Sequence, residues 1–257
     1  MEISGKNIVV TGGANGIGRA LCERFAKEGA SHVTVVDLDE ANAAAVAESV
    51  GGKSYRVDVA SRSEIEELVR SVESDSGAID LFVSNAGIGI AGGAEVEVDE
   101  WQRIWEINVM AHVNAANALL PSMLERGKGY LLNTCSAAGL LSQIGSAPYA
   151  VTKHAAVAFA EWLSITYGNR GVTVSVLCPQ AVRTNMTAGT ENGGVAGVDG
   201  MIEPEELAEV TIAGLREEAF LILPHEIVRT YYRRKGEDID RWLAGMRRLA
   251  DRFGDPI

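Results

Sequence analysis

Thr11-Gly-Gly-Ala-Asn-Gly-Ile-Gly18 stands between a β-branched run, Asn7-Ile-Val-Val-Thr11, and a stretch with helical spacing, Ile17 to Glu28. With 28 glycines in the chain, some such spacing arises by chance. A strand before the cluster and a helix after it are what mark a dinucleotide-binding turn. Gly12 suits the tight turn, Gly16 lets the backbone approach a pyrophosphate and Gly18 permits close helix packing, while the helix amino terminus attracts negative charge. Asn15 and Ile17 complete the candidate contacts of the turn. The same alternation continues along the chain. Strands are expected at Asn7 to Thr11, His32 to Asp37, Lys53 to Asp58, Leu81 to Asn85, Tyr130 to Thr134, Thr173 to Cys178 and Phe220 to Leu223. The segments between them, such as Ile17 to Glu28, Ala41 to Val50 and Glu64 to Ser74, are long enough for the crossovers of a parallel sheet. The fold class is therefore α/β, a doubly wound parallel sheet of about seven strands with helices on both faces.

The 257 residues suffice for one large domain, and no repeat or Pro/Ser-rich linker divides them. The expectation is a single domain over residues 1 to 257, with 225 to 257 as an amphipathic helical extension. A composition of 47% apolar and 23% charged residues is that of an ordinary globular chain, and no apolar run approaches the roughly 20 residues needed to cross a bilayer. Met1 to Val10 runs directly into the first strand without the basic region, apolar stretch and cleavage site of an export signal. Cys22, Cys135 and Cys178 are odd in number and widely spaced, which reads as reduced, mostly buried thiols in a cytoplasmic protein without a metal site. The four histidines show no ligand spacing and receive no catalytic role. A formal net charge of −12 argues against nucleic acid as a partner, since phosphates would be repelled.

Asp37 closes the second expected strand, nineteen residues after Gly18. A carboxylate there can accept hydrogen bonds from both hydroxyls of an adenosine ribose and would repel a 2′-phosphate. Neither the glycine turn nor Leu38 supplies a cation, so NAD is favoured over NADP; a simple helix cap is the competing reading of Asp37. Further along, Tyr149 and Lys153 stand four residues apart, with Ser136 thirteen residues before the tyrosine. On a helix that spacing puts phenol and ammonium on one face, where the ammonium favours phenolate and makes the tyrosine a base. Ser136 could then hold a substrate oxygen by a hydrogen bond that strengthens as charge develops there.

The glycine turn, Asn85-Ala-Gly87, Asn108, Ser136, Tyr149 and Lys153 occur in the order and spacing of the short-chain dehydrogenase/reductase family, which the chain resembles over nearly its whole length. The resemblance implies a single Rossmann-like domain with strand order 3-2-1-4-5-6-7, and hydride transfer between a nicotinamide and an alcohol or carbonyl carbon. It implies an Asn108-Ser136-Tyr149-Lys153 tetrad, with Lys153 reaching the nicotinamide ribose and Asn108 serving a proton relay. It also implies adenine contacts from Asp58 and Val59, a cofactor-side segment at Asn85, Ala86 and Gly87, and a carboxamide-holding segment that includes Pro179, Val182 and Thr184. Gln180 departs from the pattern, where glycine is usual. A homodimer or homotetramer packed through Trp101 to Glu125 and Tyr149 to Tyr167 is implied as well.

Substrate identity is less legible. Ile88, Ile90, Leu140, Leu141, Ile144 and Met186 flank the candidate catalytic positions, consistent with a hydrophobic secondary alcohol or ketone, or equally with core packing. Ala188 to Gly200 is too glycine-rich for a stable helix or strand and reads as a mobile lid. Between residues 225 and 257, Ile239, Trp242, Leu243, Met246, Leu249 and Phe253 recur at helical spacing beside many arginines. Packing on the domain or on a neighbouring subunit, a cap over the substrate and a reversible membrane contact are the three readings of that basic helix. The expected function is an NAD-dependent alcohol dehydrogenase; the alternatives are a carbonyl reductase working mainly toward the alcohol, or a non-catalytic NAD-binding sensor or scaffold.

Overall fold

The computed structural model describes residues 1–253, the side chain of Glu191 excepted. Seven strands, β1 (Asn7–Thr11), β2 (His32–Asp37), β3 (Lys53–Arg56), β4 (Leu81–Ser84), β5 (Gly129–Thr134), β6 (Val172–Leu177) and β7 (Leu221–Ile222), form one parallel sheet in the order 3-2-1-4-5-6-7. β1 lies in the middle because the chain winds outward to β3 and then crosses back to lay β4 against β1, with Val10 beside Val83. The reversal leaves a crevice at the carboxyl ends of β1 and β4, where such sheets bind ligands.

Strands β1, β4 and β5 are buried along their whole lengths, which is why they read as continuous apolar runs. Successive side chains still point to opposite faces. Val9, Phe82, Leu131 and Val174 pack under α3 (Arg62–Ser76), α5 (Ala111–Glu125) and α7 (Ala147–Tyr167). Ile8, Val10, Val83 and Leu132 pack with α1 (Gly16–Lys27), α2 (Glu40–Ser49) and α8 (Pro204–Glu217). The remaining helices are α4 (Val98–Trp105), which a π-helical turn at Glu106–Met110 joins to α5, the short α6 (Ala138–Leu141), α9 (Ile227–Glu237) and α10 (Ile239–Phe253).

Several strands end earlier than their apolar runs suggest, for local reasons. Asp58 lies beyond β3 because its N–H is taken by the Glu64 carboxylate at 2.8 Å and its own carboxylate turns back onto the N–H of Ala60. Asn85 leaves β4 because its N–H is taken by the Thr11 hydroxyl at 2.9 Å. Residues 188 to 200 form turns with a short 3₁₀ segment at Glu191–Gly197, inside which Asn192, Gly193 and Gly194 leave helical backbone geometry. The carboxyl-terminal extension is two helices rather than one: Asp238 is extended and its carboxylate accepts the N–H of Arg241, ending α9 and capping α10. No helix among the described residues is long and apolar enough to cross a membrane. The expected extension reaches residue 257, whose last four positions lie outside the described residues.

Candidate active site

The glycine turn is shaped by contacts that leave no room for side chains. Gly12 has a left-handed φ of +64° and a Cβ on it would come within 2.9 Å of the Ala86 backbone. A Cβ on Gly18 would lie 2.0 Å from the Gly12 carbonyl oxygen, so α1 could not start where it does. Asn15 precedes α1 with extended backbone and makes no side-chain cap, leaving the first N–H groups of the helix open to an anion. Beside them, the Thr184 methyl lies 3.0 Å from where a Gly16 Cβ would stand, so the end of the Pro179 to Thr184 segment lies against the turn. A narrow cleft with an uncapped helix end and glycine walls suits the phosphates of a dinucleotide.

Asp37 sits at the end of β2 beside this turn. Its Oδ2 accepts the N–H of Ala14 and its Oδ1 that of Asp39, both at 3.1 Å, so the carboxylate orders the turn as well as offering its remaining lone pairs outward. The cap of α2 belongs to Asp39 instead, whose carboxylate accepts from Asn42. Asp58 and the buried Val59 follow β3 at the neighbouring strand end. Asn85 ties β4 to the turn: its amide donates to the carbonyls of Thr11 at 3.0 Å and Gly12 at 3.2 Å. Thr11 answers by accepting the N–H groups of Asn85 and Ala86 on its hydroxyl.

The four candidate catalytic residues come from three places: Asn108 from the π-helical turn, Ser136 from the loop after β5, and Tyr149 and Lys153 from α7. Asn108 lies in the π-helical turn and is fully buried; its Oδ1 accepts the N–H of Ile88 and its Nδ2 donates to the Ile88 carbonyl, both at 2.9 Å, and to the Thr152 hydroxyl at 3.3 Å. One amide thus clamps the loop after β4 against α7. Lys153, 4% exposed, donates to the Thr134 carbonyl at 2.9 Å, and its Nζ lies 5.7 Å from the centre of the half-buried Tyr149 ring. Gly87 passes between them, its Cβ position being 3.2 Å from Asn108 Oδ1 and 3.5 Å from Lys153 Nζ. Ser136, 8% exposed, follows β5, accepts the N–H of Ala138 at 3.1 Å and donates to the Pro179 carbonyl at 3.4 Å. The Pro179 carbonyl also accepts from Ala137 at 2.8 Å, joining Ser136 to the segment whose end lies against the glycine turn. Val182 in that segment is buried and bridges to Ile202.

Other positions separate from the site. Leu140 and Leu141 are buried in the core, Ile88, Ile90 and Ile144 are half-buried, and Met186 is 55% exposed, so the six do not form one apolar wall. Thr11, Thr134 and Thr152 hold the site together and were not singled out by the motifs. Thr11 opens the quoted glycine turn and Thr152 stands next to Lys153, but their roles depend on partners 44 to 75 residues away. His112, one turn after Asn108, is buried with neither ring nitrogen partnered; burial and the nearby Lys153 charge hold its pKa down at about 3. It is therefore a neutral imidazole. The three cysteines are buried and free.

The model of the short chain dehydrogenases matches residues 6–193. The chain is 34% identical over 249 residues to a 1-deoxy-11-beta-hydroxypentalenate dehydrogenase of Streptomyces exfoliatus, covering 94% of this chain and 90% of that one. It is also 34% identical to a meso-2,3-butanediol dehydrogenase of Serratia marcescens, over 74% of this chain and 76% of the relative. Among solved structures, a short chain dehydrogenase/reductase from Burkholderia phymatum in complex with NAD superposes with a TM-score of 0.85 at 27% identity, over 93% of this chain and 96% of that one. With the strand order, the glycine turn and the clustered Asn108, Ser136, Tyr149 and Lys153, these likenesses lead to one conclusion: the chain belongs to the short-chain dehydrogenase family and is an oxidoreductase.

Proposed function

We propose that this protein is an NAD-dependent dehydrogenase that interconverts a secondary alcohol and its ketone, with residues 1 to 257 working as one domain extended by its carboxyl-terminal helices. The observation that carries the reading is the buried Lys153, which the Thr134 carbonyl holds at 2.9 Å with its Nζ 5.7 Å from the centre of the Tyr149 ring. NAD supplies the acceptor or donor of the hydride when it is bound. Gly12, Asn15, Gly16, Ile17 and Gly18 hold its phosphates, Asp37 its adenosine ribose, and Asp58 and Val59 its adenine. Asn85, Ala86, Gly87, Pro179, Val182 and Thr184 flank the nicotinamide half, and Tyr149 and Lys153 its ribose.

In the oxidative direction Tyr149 takes the proton from the alcohol oxygen, and Ser136 turns its one O–H from the long 3.4 Å bond to the Pro179 carbonyl and donates it to that same oxygen. Lys153, with its Nζ 5.7 Å from the centre of the Tyr149 ring, is placed to offset negative charge on the phenol oxygen during that proton transfer. Asn108 clamps the loop at Ile88 to Thr152 beside Lys153, and serves the relay that carries the proton away from Tyr149 by way of Lys153. Reduction reverses each role. The named relatives act on alcohols and diols of quite different bulk, and of the six apolar residues only the half-buried Ile88, Ile90 and Ile144 support a hydrophobic alcohol. Exposed Val151, Trp162 and Ile165 on α7 support a homodimer or homotetramer through that face.

The test follows nicotinamide absorbance with NAD⁺ or NADP⁺ and a panel of polyols, steroids, aryl alcohols and hydroxy fatty acids, for wild type and Asp37→Ala. Turnover with NAD⁺ that shifts toward NADP⁺ in the variant supports the reading. Tight NAD⁺ binding with no turnover across the panel would favour the sensor, and better turnover of sugars and small polyols would remove the hydrophobic substrate.

A further inference from the structure

Gln180 stands where the family has glycine, and its side chain is committed. The amide Nε2 donates to Asp199 Oδ2 at 3.0 Å, while the Tyr231 hydroxyl donates to Asp199 Oδ1 at 3.0 Å. Both oxygens of one carboxylate are thus gripped, one from the loop after β6 and the other from α9. The Gln180 N–H donates to His225 Nδ1 at 3.2 Å, fixing the backbone that carries the amide. Asp199 lies near the end of the glycine-rich stretch from Ala188 to Gly200. The far side of that stretch is stitched at its base, where Ala181 donates to the Ala196 carbonyl, Arg183 to the Ile202 carbonyl, and Arg183 pairs with Glu203 at 2.6 Å. Directly before Gln180, the Pro179 carbonyl accepts from Ser136 and Ala137.

We infer that Gln180 is a positioning residue that, together with Tyr231, fastens the 188–200 segment through Asp199 and thereby steadies the Pro179 backbone that the Ala137 N–H holds beside Ser136. The inference rests on the dehydrogenase reading for its catalytic consequence, but the latch itself does not. Asp199 is exposed, so water competes for its oxygens and the latch can open and close. A backbone of five glycines between Ala188 and Gly200 has little of its own to hold it in place. The same contact gives α9 a role in the site, since the latch is complete only with Tyr231 in place.

Hydrogen exchange of residues 188–200 in the full-length protein tests this. Gln180→Glu sets a like charge against Asp199 and is expected to raise exchange in that segment about tenfold, leaving β1, β4 and β5 unchanged. Gln180→Glu combined with Asp199→Asn reverses donor and acceptor, and is expected to return exchange to within about twofold of wild type. Unchanged exchange in Gln180→Glu, or exchange equally raised in the combined variant, would overturn the latch. For the panel alcohol oxidised fastest by wild type, KM for the alcohol should rise severalfold in Gln180→Glu and recover in the combined variant, with KM for NAD⁺ unmoved; a raised exchange with unaltered KM would refute the positioning role. Absence of any turnover in wild type would sink the dehydrogenase reading while the exchange data still decide the latch.

Discussion

Tyr149 and Lys153 show how a residue acquires a task from its surroundings. The four-residue spacing puts them on one face of α7, and the Thr134 carbonyl then holds the ammonium where it can act on the ring. Tyr149→Phe should lower the rate of alcohol oxidation on the order of a thousandfold, and Lys153→Met comparably, with NAD⁺ affinity in the phenylalanine variant within a few fold of wild type; stopped-flow absorbance and calorimetric titration separate the two effects. His112 carries a different kind of consequence. Its folded-state pKa of about 3 lies below the ordinary value of 6.5, so the unfolded chain binds the extra proton first. Stability from this group is present above about pH 6.5 and is lost as the pH falls toward 3. Urea unfolding of wild type at pH 7 and pH 5 should show a loss on the order of 1 to 2 kcal/mol from this group, one that His112→Leu removes.

At the scale of elements, Asn108 matters through what it joins. The π-helical turn widens the backbone between α4 and α5, and the amide placed there clamps Ile88 to Thr152 of α7. Asn108→Ala leaves the partly buried Ile88 N–H and carbonyl without their partners, and should cost roughly 1 to 3 kcal/mol in unfolding free energy as well as activity. If urea unfolding is unaltered, the clamp is not stabilising. This element-level role was only half legible. Asn108 stood at the family's spacing, but nothing in Glu106-Ile-Asn-Val-Met110 announces a π turn, because the turn answers to the distance between two packed segments. The ends of β3 and β4 were blurred for a similar reason: Glu64 and Thr11 claim the N–H groups of Asp58 and Asn85, and apolar runs do not record such competition.

Across the whole molecule, the body and the carboxyl-terminal helices are built differently. The sheet is sealed between two helical layers, whereas α10 has no buried residue and touches α9 through Trp242 tilted on Tyr231 at 6.2 Å between ring centres. Truncation after Asp238 should therefore lower the melting temperature by only a few degrees, checked by thermal unfolding; a collapse of the fold would show that α10 carries the core. The exposed apolar residues of α7 make a second expectation at this scale. Ile165, 82% exposed, when changed to Asp should reduce the molar mass measured by light scattering from a dimer or tetramer toward the monomer. What the sequence determined by itself was the architecture and the glycine turn, because strand alternation and glycine placement are local properties that the chain carries wherever it folds; the candidate site residues came from the family's spacing. Only the tertiary structure decided that Asp37 orders the turn it faces, that Thr11, Thr134 and Thr152 hold the site, and that Gln180 reaches Asp199 and Tyr231. Those partners lie 19 to 75 residues apart, and they meet because packed strands and crossovers bring together atoms whose pairing no local pattern encodes.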